Sequence, residues 1–345
     1  MAINETFYSS TELSVGLAQD ATVGAAGSGF HNIETDSVTI PTFNDIKIER
    51  RSGSGSGIMT ATTDMFHYGK GATIEGSISG FLTDTLLNHL IPAATGIAET
   101  SDQWTINGTS ASNVTFEHGD SAAVSKTLSI AYNGVGASTD DSLIVPGCVV
   151  TSLTISGDPN EDGGRMKFDA SWISRTPIAI ASTYGTSAEE LTLGTDYVFL
   201  GDYKNHVKVD NVDALLKSFS MTIDNPVVFG GFGGNGADGS PQTYIRSVPE
   251  MSVTVNPVIK YDGTLDQLWE DARGSTDGVQ GETLASPAFQ MSDHATYNDA
   301  TATRTIRITD GTITDIAWDE GDYLGLSLTI KARGDDPESI YIKHS

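Results

Sequence analysis

Asp158, Asn160, Asp162 and Asp169 carry the spacing in this sequence that most suggests chemistry: oxygen donors at alternate positions, Gly163 next, and a carboxylate eleven residues after the first. A calcium loop of the D-x-[DN]-x-[DN]-G type places its ligands this way. Two departures weaken that reading, since the last position is Asp rather than Glu and both flanks alternate as strands do. An acidic hairpin turn needs the same Asp, Asn and Gly. The run GGFGGNGADG at residues 230–239 invites a phosphate-binding reading. No Lys-Ser or Lys-Thr follows it, however, and the next segment holds Pro241 and a strand pattern in place of a helix N-terminus. The acid pairs Asp140 and Asp141, Glu189 and Glu190, and Asp335 and Asp336 are sequence neighbours that point apart, whereas sugar hydrolysis needs two carboxylates facing each other across the bond. Ser292, Asp293 and His294 are adjacent too, which is not how a catalytic triad is assembled. The seven histidines, His31, His67, His89, His118, His206, His294 and His344, lack the close spacing of a metal pair. The sequence thus predicts no catalytic residue, no cofactor and no metal beyond the weak calcium candidate, and the chain is not expected to be an enzyme.

Charge narrows the partners. Lys and Arg number 19 against 45 Asp and Glu, a formal charge of −26 over 345 residues. Grip on nucleic acid comes from cations that displace counterions, so this balance argues against it. The single cysteine, Cys148, excludes an internal disulfide framework, and its place after Pro146 and Gly147 in an apolar stretch predicts a buried, inert thiol. No run of apolar residues is long enough to span a bilayer. The opening MAINETFYSS has neither a basic nor an apolar leader region, so synthesis in a cytoplasm is expected.

The elements that must position everything else read mostly as β. Apolar residues alternate with Ser, Thr or charge at residues 74–80, 126–132, 149–155, 166–173, 215–223, 251–258, 305–309 and 324–332, punctuated by Gly and Pro. Two short helices are predicted, one over 85–91 with Asp84 as N-cap and Pro92 as stop, the other over 265–273 with Thr264 as N-cap and Gly274 beyond its end. They occupy equivalent places in a chain that reads as duplicated. A strand at 44–50, the loop RSGSGSG at 51–57, the strand at 74–80 and the first helix are echoed by the strand at 215–223, the loop at 230–239, the strand at 251–258 and the second helix. A further strand follows each helix, KTLSIAY or TRTIRIT, and then a closing hairpin: residues 149–175 in one half and 312–333 in the other, each with an acidic turn and a long strand ending in Arg. This divides the chain into units at 1–210 and 211–345, with 178–210 as the connection.

One parity of each long strand is apolar, as with Met166, Phe168, Ala170 and Trp172, or Leu324, Leu326, Leu328 and Ile330, and is predicted to build a sandwich core. The other parity is small and uncharged, as with Ser218, Ser220 and Thr222. It is either an ordinary solvated sheet surface or one past which a polyanion moves without being held.

In order and pattern, residues 16–35 (GLAQDATVGAAGSGFHNIET), 72–91 (ATIEGSISGFLTDTLLNHLI) and 145–175 (VPGCVVTSLTISGDPNEDGGRMKFDASWISR) together resemble the tail tube proteins of tailed bacteriophages. The resemblance implies a duplicated tail-tube-type β-sandwich with short flanking α-helices, whose copies join into stacked rings around a lumen for genome ejection. With two units per chain it implies trimeric pseudo-six-fold rings, against hexameric rings otherwise. The implied partners are the chain itself and other tail proteins (tape measure, terminator). DNA would pass without specific binding, no membrane is involved, and the location is the virion. Arg51, Gly53, Gly55, Gly57, Gly231, Gly234 and Gly236 become candidates for contacts between rings. Competing expectations are a tail terminator or decoration protein, an acidic surface-layer subunit, and a carbohydrate-binding sandwich.

Overall fold

The computed structural model describes residues 14–20, 22–35, 40–41, 46–49, 65–68, 73–97, 103–106, 115–117, 127–133, 142–174, 176, 178–181, 197–203, 206–229, 243–246, 250–258, 268–269, 272, 284–320, 324–333 and 340–344. In chain order they form β1 (Ser14–Gln19), β2 (His31–Ile33), β3 (Ile46–Glu49), β4 (Met65–Tyr68), β5 (Ile74–Phe81), α1 (Asp84–Thr95), β6 (Gln103–Ile106), β7 (Thr115–Glu117), β8 (Leu128–Asn133), β9 (Ser142–Gly157), β10 (Lys167–Ser174) and β11 (Ala179–Ala181). There follow β12 (Lys208–Val209), β13 (Val212–Asp213), β14 (Leu215–Asp224), β15 (Val227–Phe229), β16 (Thr243–Arg246), β17 (Glu250–Val258), β18 (Phe289–Ser292), β19 (Arg304–Ile308), β20 (Gly311–Glu320), β21 (Leu324–Ala332) and β22 (Ile340–His344). The protein is mostly β, in antiparallel sheets, as the alternation predicts. Strands from both sides of residue 210 share sheets: β9 pairs β14, β6 pairs β22 and β7 pairs β16.

β9 is the strand on which this arrangement turns. The sequence suggests a short strand at 149–155, but β9 has 16 residues, because Pro146 and Gly147 bend it instead of starting it. Gly147 has φ +69, and a Cβ there would meet Thr176 Oγ1 at 2.4 Å, so only glycine fits. Before the bend β9 pairs β8 and β11, and after it β9 pairs β10 and β14. Asp20 fixes the bend from beneath. Its buried carboxylate accepts from Gly147 N at 2.9 Å and Gly24 N at 3.1 Å, and from the hydroxyls of Thr127 and Ser129. Desolvation raises its pKa above the usual carboxylate value, and these hydrogen bonds pull the other way.

Two strand orders recur along the chain. The run β2-β1-β8-β9 with β11 on the first part of β9 has the same succession as β13-β12-β18-β19-β22, and β5-β10-β9 the same as β17-β21-β20. In these orders β18 holds the position of β8, and β19 that of the first part of β9. The correspondence extends to irregularities. β9 bulges at Thr151, between the pairs Ser171–Ser152 and Trp172–Val150, and Thr151 Oγ1 donates to Ser171 O at 3.1 Å. β20 bulges at Thr314, between Ile313 and Asp315, and Thr314 Oγ1 donates to Thr329 O at 3.2 Å. A bulge is a specific device for bending a strand, and here the same threonine bond accompanies it in both strands.

α1 packs on β9, β1, β8 and β14 through a face of Leu86, Leu87, Leu90 and Ile91. Its limits differ from expectation. Thr83, not Asp84, is the N-cap, accepting from Leu86 N at 3.2 Å. The helix also runs through Pro92 to Thr95 and closes on Gly96 at φ +69. Proline leaves the carbonyl four residues back without its donor. Here that carbonyl, Asn88 O, accepts Gln19 Nε2 at 3.0 Å, so the helix survives. Of the second expected helix, Leu268, Trp269 and Ala272 are described and helical.

Two strand pairs pack one register position differently: Gly76 of β5 faces Trp172 of β10, whereas Val253 of β17 faces Ile330 of β21. A Cβ on Gly76 would stand 2.5 Å from the Trp172 ring. Gly76→Val is expected to destabilise the fold by about 1–3 kcal/mol through overpacking. Adding Trp172→Ile, which installs the other half's pair, is expected to recover part of that loss, read from a double-mutant cycle in urea.

Candidate assembly surfaces

Three surfaces could do work here: the seam between β9 and β14, the polar face of the large sheet, and its end at β20. The seam sets Gly157, Ile155, Leu153 and Ser152 opposite Phe219, Met221, Ile223 and Asp224. On the dry side Ile155, Leu153, Met221 and Ile223 are all buried, and Phe219 stacks on Phe289 of the six-stranded sheet with centroids 5.7 Å apart. On the wet side Thr154 and Thr222 share a hydrogen bond of 3.1 Å and Ser152 Oγ donates to Asp224 Oδ1 at 2.9 Å. Asn225 locks the end of the seam, its Nδ2 donating to Val150 O at 2.7 Å and its backbone N–H to Thr151 O at 2.8 Å.

The hydroxyl row continues beyond the seam, with Thr254 and Thr329 joined at 3.2 Å. Asp169, Asp224 and Asp315 are exposed, and of the lysines in these strands Lys167 is engaged by Asp162 and Lys217 by Asp319 at 2.8 Å, while Lys331 stands between Ser252 and Thr312. Among the described residues this face is thus hydrated, acidic and poor in free positive charge. At the sheet's end β20 pairs only β21 among the described strands. The exposed large apolar residues described in the chain, Leu215, Trp318 and Leu324, lie on β14, β20 and β21, and Trp318 leans on Trp269 with centroids 5.4 Å apart.

The calcium candidates fall into the β9–β10 turn. Asp158 Oδ1 accepts Asn160 N at 2.7 Å, Asp162 takes the Lys167 ammonium, and Asp169 stands on the exposed face of β10 between Ser79 and Thr154. Asp162, Gly163 and Gly164 turn the chain with φ of 47, 69 and 80. Among the described residues no three His, Cys, Asp or Glu gather as a metal site would need. Arg51, Gly53, Gly55, Gly57, Gly231, Gly234 and Gly236 lie outside the described residues; the strands bracketing them form the hairpins β3–β4 and β15–β16. Cys148 is fully buried, as expected.

Sequence reading missed the polar groups that tie distant parts of the chain together. Arg304 on β19 grips Asp84 of α1 with two bonds of 2.6 Å, with Asp202 at 3.9 Å. His344 Nε2 meets Asn88 Oδ1 at 2.7 Å while its ring stacks on Trp104. Asp84 had a helix-cap signal, but nothing in a sequence names a partner 220 residues away.

These features define an antiparallel β-sheet protein with a polar face on its large sheet and, among the described strands, β20 at the end of that sheet. A family model described as phage tail tube protein matches residues 14–276, and the chain belongs to that family. It is a structural protein of a phage tail. No curated protein matches the chain.

His89 on α1 gives the fold a titratable weak point. Its ring lies 5.1 Å from that of His31, and burial, aided by that neighbour, lowers its pKa to about 4. An unfolded histidine titrates near 6.5, so the unfolded chain takes up the proton first. The neutral-ring stability is whole above pH 6.5 and drains away as the pH falls toward 4, by roughly 3 kcal/mol in all. His89→Leu is expected to lose that part of the slope, read by comparing urea midpoints of variant and parent at pH 7 and pH 4.5.

Proposed function

We propose that the protein polymerises into stacked rings forming the tail tube through which the genome is ejected, and that each chain supplies two tail-tube units, 1–210 and 211–345. The observation that carries this is the matched pair of strand orders with the same threonine bulge in each, in a chain of the tail tube family. Two units per chain let three copies close a pseudo-six-fold ring. The β9–β14 seam is the joint between units inside the chain.

The polar face of the large sheet is the lumen wall in this reading, because the opposite face is occupied by the core, α1 and the six-stranded sheet. A wall of paired hydroxyls and scattered carboxylates stays wet yet offers DNA no counterion-releasing contact. The loops at 51–57 and 230–239 reach the neighbouring ring. The tube's other partners are further tail proteins, a tape measure inside and a terminator at its end. Neither a terminator nor a surface-layer role has a specific observation in its favour.

Electron microscopy of the purified chain is the test: three chains per six-lobed ring are expected, and six chains per ring would contradict the duplicated-unit reading. Deleting residues 53–57 is expected to leave single rings that do not stack, while normal tubes from that deletion would remove the loop's role. Thr222→Lys together with Ser220→Lys is expected to leave tubes intact and make them retain added DNA at low salt, whereas the parent tube does not.

A further inference from the structure

We infer that β2 is a proton-released strand: protonation of the His31–His89 pair frees it from β1 and α1 while the sheet beyond β1 stays folded. The inference goes beyond the tube reading and does not depend on it. His31 stands on β2 and His89 on α1, with ring centroids 5.1 Å apart and planes tilted by 35°. Among the described residues neither ring nitrogen of His89 has a hydrogen-bond partner, and both are shut off from solvent. A neutral ring tolerates such a place. An imidazolium does not, because its two N–H groups would lie desolvated with nothing to accept them and a second imidazole alongside.

The other charged and titratable groups around α1 are already committed. Asp84 holds Arg304 at the start of the helix, and His344 Nε2 is bonded to Asn88 Oδ1. β14 brings Lys217, engaged by Asp319, and Asp224, engaged by Ser152. β8 and β9 bring Tyr132 and Cys148, which stay neutral because burial raises the pKa of each. Asp20, just past β1, is held by Thr127, Ser129, Gly24 and Gly147. His31 is the group whose charge acts on His89.

Of the two elements that enclose the pair, β2 is the one that yields. α1 is fixed by its packed face of Leu86, Leu87, Leu90 and Ile91, by Arg304, by Gln19 on Asn88 O and by His344 on Asn88 Oδ1. β2 is held by three residue pairs, Ile33 with Val15, Asn32 with Gly16 and His31 with Leu17, and among the described strands it pairs β1 alone. Ile33, 7% exposed, keeps it closed while the rings are neutral. Short elements hydrogen-bonded on one side open at a lower free energy than the core they flank. Parting β2 from α1 uncovers the His89 ring and lifts its pKa from about 4 toward the usual ~6.5, so each opening takes up a proton as the pH falls through that interval. Lowering the pH from 7 to 5 therefore multiplies the opening equilibrium about twentyfold.

Hydrogen exchange on the full-length chain, followed by mass spectrometry and corrected for the intrinsic pH dependence of amide exchange, tests this. Protection over residues 31–33 is expected to fall about twentyfold between pH 7 and pH 5, with almost no dependence on added urea. Amides of β9 and β10 are expected to stay better protected and to respond steeply to urea. In His89→Leu the fall over 31–33 is expected to vanish. Exchange of β2 with the same protection and urea dependence as β9 overturns the inference, since the opening would then be global. A fall that persists in His89→Leu overturns it as well. The urea dependence is read on the parent chain, so it decides the point even where the variant does not fold, and either failure leaves the tube reading intact.

Discussion

The seam between β9 and β14 is the constraint to which the rest of the molecule answers. A strand inside a sheet must satisfy hydrogen-bonding groups on both its edges, and β9 does so twice over, before and after a bend. The bend lets one strand serve two sheets, and it needs Gly147 for the backbone and Asp20 for the freed amides and hydroxyls. Were the strand straight, its apolar residues could not alternate correctly toward both layers, because a shift of one position turns every side chain to the other face. α1 covers the same strand, and the Asn88 carbonyl that Pro92 frees is answered by Gln19 of β1, so helix and sheet are held together by the proline that sequence logic treats as a stop.

The two faces of the large sheet show how one alternation serves opposite ends. The dry face closes on Phe219, Met221 and Ile223, and hydrophobic burial there favours folding in proportion to area removed from water. The wet face carries threonine and serine, which favour strands and satisfy one another across them, as the Thr154–Thr222 and Thr254–Thr329 bonds do. Hydroxyls paired in this way stay hydrated without carrying charge. Carboxylates set among them add repulsion toward any polyanion, and the chain's overall charge of −26 works in the same direction.

Alternation was legible in the sequence because it is local. β21 lies where the period placed it, and β5, β14 and β17 fall within a residue of expectation. Local period says which face a residue takes and nothing of which strand lies beside it, so the pairings of β9 with β14, β6 with β22 and β7 with β16 were invisible. Asp20 was unreadable for another reason: one acid between Gln19 and Ala21 looks like surface, and only the fold brings Thr127, Ser129 and Gly147 around it. Trp318, 41% exposed and leaning on Trp269, owes its surroundings to a contact that no local period gives.

Carrying both units on one chain changes the energetics of the proposed ring as well as its stoichiometry. Half of the joints of such a ring are made during folding, where the connection keeps the partners at high effective concentration, and only the other half depend on encounter between copies. This also explains why the two kinds of joint need not be chemically alike. The folded seam uses Ile155 against Met221 and a buried Asn225 clamp, all of it sequestered before any second copy appears. The open edge must instead remain soluble while it waits. An edge strand left unpaired is a hazard for indiscriminate pairing, and acidic residues along it are a known safeguard. β20 has that character: Asp315 and Glu320 flank Ile316 and Trp318, where β9 has Ser152 and Gly157, while Asp319 is held by Lys217 at 2.8 Å. Substituting carboxylates for small residues at corresponding positions weakens random association of a polyanionic chain.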